Sequence, residues 1–130
     1  MDDKDLFEAA TFNTVKVSAV AVSATSDASP DTIATLVTPS LPAGWYWIGY
    51  SFEVTHSAKN QPAYFKLSGT YTDADYFSNS ASDSDETNLN RQYGYPKDFA
   101  GGVITMNMLA YKPTGTVVFD FCDLFVHRVG

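Results

Sequence analysis

Gly44-Trp45-Tyr46-Trp47-Ile48-Gly49-Tyr50-Ser51-Phe52-Glu53-Val54 places Tyr46, Ile48, Tyr50, Phe52 and Val54 on every second position. Trp45, Trp47, Gly49, Ser51 and Glu53 fall between them. Successive side chains of a strand point to opposite faces, so this period of two reads as a half-buried strand with its aromatic and β-branched side toward a core. The same period recurs outward from this stretch. Phe12–Val22 alternates Phe12, Thr14, Lys16, Ser18, Val20 and Val22 with Val15, Val17, Ala19 and Ala21. Thr32–Thr38 reads as a short strand that Pro39 and Pro42 break. Ala63, Phe65 and Leu67 alternate with Tyr64, Lys66 and Ser68, and Val103–Tyr111 is apolar on both sides. No helical period persists beyond about two turns.

The connections follow from turn chemistry. Ser23–Asp31 is a loop rich in Ser, Asp and Pro, and Lys112-Pro113-Thr114-Gly115 is a turn. His56–Gln61 reads as a polar hairpin loop. Gly69–Gly94 is rich in Ser, Asp and Asn, punctuated by Tyr71, Tyr76, Phe77 and Tyr93, and reads as mostly loop. Residues 1–11 are polar and acidic, with Leu6 and Phe7 as apolar anchors, and form an N-terminal arm. Residues 12–130 form the domain. Short strands separated by turn signals every 8–12 residues or so define an all-β antiparallel β-sandwich or jelly roll.

The final stretch, Thr116–Val129, runs without a breaker. Strict alternation puts Val117, Phe119, Phe121, Phe125 and Val129 on one face and Val118, Cys122, Leu124 and Val126 on the other. Only one face of a sandwich strand meets the core, so the second apolar face calls for a partner subunit.

Composition narrows the function. The chain has 130 residues, enough for one domain with its own core. No run approaches the ~18 apolar residues of a membrane-spanning helix. The start, Met1-Asp2-Asp3-Lys4-Asp5, lacks the basic and apolar regions of a secretory signal. One cysteine, Cys122, excludes an intrachain disulfide. That fits synthesis in a reducing cytoplasm. A net charge of −7 disfavours phosphate backbones and anionic membranes, so neither a nucleic-acid nor a membrane partner is expected.

Catalytic constellations are scarce. His56 lies between Thr55 and Ser57, and no nucleophile-elbow motif surrounds any serine. His127 alternates with Val126 and Arg128 and reads as a hydrogen-bonded structural histidine. Asp73, Asp75, Asp83, Asp85 and Glu86 form an acidic segment. Read as a calcium loop from Asp73, it has Ser78 in place of the glycine and Ser84 in place of the bidentate glutamate. As a sugar-hydrolysing carboxylate pair it sits on a loop without pre-organisation. Gly101-Gly102 precedes a strand and not a helix, so it lacks a phosphate-cradling context. No cofactor or metal is expected. Trp45, Tyr93 and Tyr95 are the candidate ligand surface, since Trp and Tyr serve as interface anchors and stack on sugars.

Leu41-Pro42-Ala43-Gly44-Trp45-Tyr46-Trp47-Ile48-Gly49-Tyr50-Ser51-Phe52 resembles a characteristic strand of TNF/C1q-like jelly rolls. The closing segment from Gly115 to Gly130 resembles the last strand of that fold. The resemblance implies a homotrimer with this strand near the three-fold axis, and hence an interface at Val117, Phe119, Phe121, Phe125, His127 and Val129. The Ser/Thr/Asn/Asp-rich loops and lack of a disulfide are similar to virion proteins of tailed bacteriophages. The function so implied is that of a non-enzymatic capsid decoration or cement protein of the virion, docked to the major capsid protein through Leu6 and Phe7 of the arm. The alternative is a tail-fibre or tail-tip component that binds a host receptor or glycan.

Overall fold

A computed structural model describes residues 11–16, 19–82 and 87–129, and of residues 16 and 88–95 the backbone alone. The arm residues Leu6 and Phe7 lie outside the described residues. Nine strands make up the described fold: β1 (Thr11–Lys16), β2 (Val20–Ala21), β3 (Asp31–Val37), β4 (Gly44–His56), β5 (Ala63–Gly69), β6 (Phe77–Asn79), β7 (Thr87–Phe99), β8 (Thr105–Tyr111) and β9 (Val117–Arg128). No helix among the described residues is long and apolar enough to cross a membrane.

The strands form two antiparallel sheets. Sheet A has the order β1-β9-β4-β7, with β2 also on β9, and sheet B has the order β3-β8-β5-β6. Only β5 and β6 are consecutive neighbours within a sheet; from β2 onward every other link crosses from one sheet to the other. This is the double Greek-key winding of a jelly-roll sandwich. The segment 57–62, expected to close a hairpin, is therefore a crossing between sheets. The first expected strand is split, because β1 ends at Lys16 and β2 begins at Val20.

The core fills the space between the sheets. Tyr46, Ile48, Tyr50, Phe52 and Val54 of β4 are all buried in it, as their alternation required. Sheet B contributes Ala63, Phe65 and Leu67 from β5 and Met106, Met108 and Ala110 from β8. Phe52 is the aromatic hub, with ring centroids 4.9 Å from Phe65 and 5.1 Å from Phe119.

The largest departure from expectation is β7. This strand, Thr87–Phe99, takes up the end of the segment that reads as mostly loop, from Thr87 to Gly94, and runs on to Phe99. Its composition hides it because β7 is the edge of sheet A, where polar residues and proline are tolerated. Pro96 sits opposite Trp47 in the register with β4. Between Ile48 and Tyr50 lies one residue of β4, whereas between their partners Tyr95 and Gln92 lie two of β7, Gly94 and Tyr93, which makes a bulge.

Candidate functional site

The outer face of sheet A is built by the side chains that alternate with the core positions. On β4, Trp45 and Trp47 are 49% and 45% exposed while Tyr46 and Ile48 between and after them are buried. On β1, Val15 is 50% exposed, whereas Phe12 packs against the core. On β9, Cys122, Leu124 and Val126 are fully buried, so Phe121, Asp123, Phe125 and His127 face outward.

The strand register arranges these groups in rows. Thr11, His127 and Trp47 form one row across β1, β9 and β4. Asn13, Phe125 and Gly49 form the next, followed by Val15, Asp123 and Ser51. Phe121 then pairs with Glu53. Gly49 and Ser51 are buried although they belong to the outward set, so the larger side chains of their neighbours close over them. Thr11 Oγ1 bonds His127 Nδ1 within the first row, and Asn13 Nδ2 of the second row donates to Asp123 Oδ1 of the third at 3.4 Å. Partial burial raises the Asp123 carboxyl above the usual range, and the bond from Asn13 opposes that shift.

The residues named for the interface separate into two groups. Phe121, Phe125, His127 and Val129 are half-buried at the end of the chain. Val117 and Phe119 are each 1% exposed and belong to the protein's own core, which corrects their placement on an interface face. The cause is a bulge. Glu53 pairs with Phe121 and Val54 with Phe119, leaving Asp120 as an extra residue on β9. Strict alternation breaks there, and the inward set changes from Val117 and Phe119 to Cys122, Leu124 and Val126. Asp120 itself accepts a hydrogen bond from Thr55 Oγ1 at 2.7 Å.

Of the candidate ligand surface, Trp45 is exposed at the start of β4. Tyr93 and Tyr95 lie on β7 rather than in a loop, and their side chains are outside the described residues. Trp47 and Val15 complete the outward patch. Trp47 was readable from its alternation with Tyr46 and Ile48, whereas the contribution of Val15 depends on β1 pairing with β9, which no local pattern encodes.

His56 is not in a loop. It ends β4, is 1% exposed, and its Nε2 lies 2.7 Å from Asn79 Oδ1. A buried ring bonded to an amide is a structural arrangement. In the acidic segment, Asp73 caps a turn, its Oδ2 accepting from the Leu67 N–H at 3.0 Å. Asp83, Asp85 and Glu86 lie outside the described residues, and among the described residues no three His, Cys, Asp or Glu groups gather around a metal position.

Fold and face together define an all-β jelly-roll sandwich with an aromatic outer surface on one sheet. No family model matches the chain, and no curated protein matches it. Among solved structures it is similar to dimeric latent PorU from Porphyromonas gingivalis, with a TM-score of 0.43 and 11% identity over 91% of this chain and 13% of that one. It is also similar to a chain of infectious bursal disease virus, Gx strain, with a TM-score of 0.45 and 10% identity over 92% of this chain and 36% of that one. The chain spans well under two thirds of either protein.

Proposed function

We propose that the protein is a non-enzymatic structural component of a virion, a capsid decoration or cement protein of a tailed bacteriophage that assembles as a homotrimer through the outer face of sheet A. One observation carries the reading: the aromatic patch of Trp45, Trp47, Phe121 and Phe125 with Val15. Interface cores are rich in Trp, Tyr and Phe, and this face carries four such rings around the carboxylates of Asp123 and Glu53. Its Asp123 is already matched by Asn13, so covering it leaves that carboxylate with a partner. A second and third copy are the occupants, because assemblies of one chain bury the most apolar interfaces. The TNF/C1q-like resemblance of β4 and β9 supports the same face and the same symmetry.

Light scattering of the purified chain at micromolar concentration tests the assembly. The expected mass is three times the 14.2 kDa of one chain. Trp47→Glu places a charge in the patch and is expected to yield folded monomers with an unchanged circular dichroism spectrum. A wild-type monomer overturns the reading.

A further inference from the structure

A cleft of about 190 Å³ opens on the flank of the sandwich, away from the outer face of sheet A. It is lined by Ile48 of β4, Leu67 of β5, Lys97 of β7 and the segment Thr70, Tyr71, Thr72 and Asp73 that follows β5. Ile48 and Leu67 are 2% and 1% exposed and provide an apolar floor. The Tyr71 ring packs at 66° against Phe99, and the Lys97 ammonium lies over it, 5.6 Å from the centroid.

The segment is held rigidly. Thr70 N–H donates to the Thr105 carbonyl at 2.8 Å, and Thr105 N–H donates back to Thr70 Oγ1 at 2.8 Å. Asp73 N–H donates to the Leu67 carbonyl, and Leu67 N–H to Asp73 Oδ2, both at 3.0 Å. The chain enters the segment through Gly69 at φ +118°, where a Cβ would drive into the Thr105 carbonyl oxygen. These bonds use one oxygen of Asp73 and the acceptor side of the Thr70 hydroxyl. Asp73 Oδ1 and the Thr70 O–H have no partner among the described residues and are fixed at the cleft.

We infer that this cleft binds one neutral pyranose ring, such as the terminal sugar of a glycan. Small-ligand clefts combine apolar and aromatic lining with a few placed polar groups, and Tyr71 supplies the ring here. A carboxylate oxygen accepts from one ring hydroxyl, while the ammonium and the threonine hydroxyl donate to its neighbours. Opposite charges in one small space also select against the alternatives. A singly charged ion gains at one of Asp73 and Lys97 what it loses at the other, so an uncharged polyol is the matching ligand and a zwitterion the competitor to be tested against it. The size agrees, since drug-sized ligands occupy about 300–1,000 Å³ and a single ring needs less. The inference adds an activity to the structural role and does not depend on it.

An NMR titration of the full chain with the methyl glycosides of glucose, mannose and galactose, and with N-acetylglucosamine, tests it; alanine serves as a zwitterionic control. At least one sugar is expected to give saturable shifts at Thr70, Thr72, Asp73 and Lys97, with a millimolar dissociation constant. Asp73→Asn keeps an acceptor for the Leu67 N–H and is expected to weaken binding about tenfold, the loss of one charge-assisted hydrogen bond. Lys97→Met should do the same. Lys66→Met, which removes an ammonium that lies over Tyr76 instead, should change nothing. No saturable shift with any sugar, an equal response to alanine, or affinities unmoved by Asp73→Asn and Lys97→Met overturns the inference. Light scattering on the same samples separates the two proposals: a sugar-binding monomer overturns only the trimer, and a trimer without sugar binding only the cleft.

Discussion

Single residues show how burial changes chemistry. Cys122 sits in the middle of β9 with no exposed surface, and burial pushes its thiol up to about 12, with Asp123 beside it adding to the shift. The folded protein therefore holds a neutral, unreactive thiol where the unfolded chain has an ordinary one, near 9. Folded-state protonation makes this group favourable to the fold below about pH 9, and that contribution is lost as pH rises from 9 toward 12. A disulfide reagent at neutral pH is expected to label Cys122 only at the rate of unfolding, and denaturation midpoints should fall through the same alkaline window. Rapid labelling of the native protein would contradict the burial. Asp31 shows the opposite balance. Burial would raise its carboxyl, but hydrogen bonds from Ala24 and Ser23, with Lys112 nearby, hold it below the usual carboxylate range. The loop before β3 is thus pinned by a charged acceptor, a role that Ser/Asp/Pro composition alone does not reveal.

Elements were legible where burial imposed a pattern. β4 is buried on one face along its length, so its alternation names its inward side chains correctly. β5 and the end of β3 read as clearly. β7 did not, because an edge strand is not required to alternate and Thr87-Asn88-Leu89-Asn90-Arg91-Gln92 carries almost no hydrophobic signal. β9 was legible as a strand but misread in its faces, since a bulge one residue long reverses every side chain beyond it. Deleting Asp120 tests that account. Removing the extra residue forces either Val117 and Phe119 or Cys122, Leu124 and Val126 out of the core. Each exposed apolar side chain costs about 1.5–3 kcal/mol, so the sum rivals the ~5–15 kcal/mol that stabilises a typical domain. The deletion variant is expected to be unfolded by circular dichroism, whereas Asp120→Asn, which keeps the residue count and an acceptor for Thr55, should fold. A folded deletion variant would show that the alternation tolerates a slip.

At the scale of the molecule, the sequence located the surface proposed for assembly only in part. It singled out the last strand, but which of its side chains face outward depends on the sandwich having claimed Val117 and Phe119 first. The flank cleft was not legible at all, because Ile48, Tyr71, Asp73 and Lys97 come from three separate stretches of chain. The proposed attachment to a capsid belongs to this scale as well. Deleting residues 2–10 is expected to abolish binding to the particle while leaving the trimer mass reduced only by the missing residues; attachment that survives the deletion removes the arm from the mechanism. The pairing of β1 and β2 with β9 also constrains how the protein is made. Thr11 finds its partner 116 residues later, at His127. During synthesis β1 has no strand partner, and one edge of β4 stays unpaired, until β9 leaves the ribosome and slots between them. Sheet A therefore closes after translation of β9 and not during it, and a chain stalled before Val117 is a substrate for chaperones and proteases rather than a partly built domain.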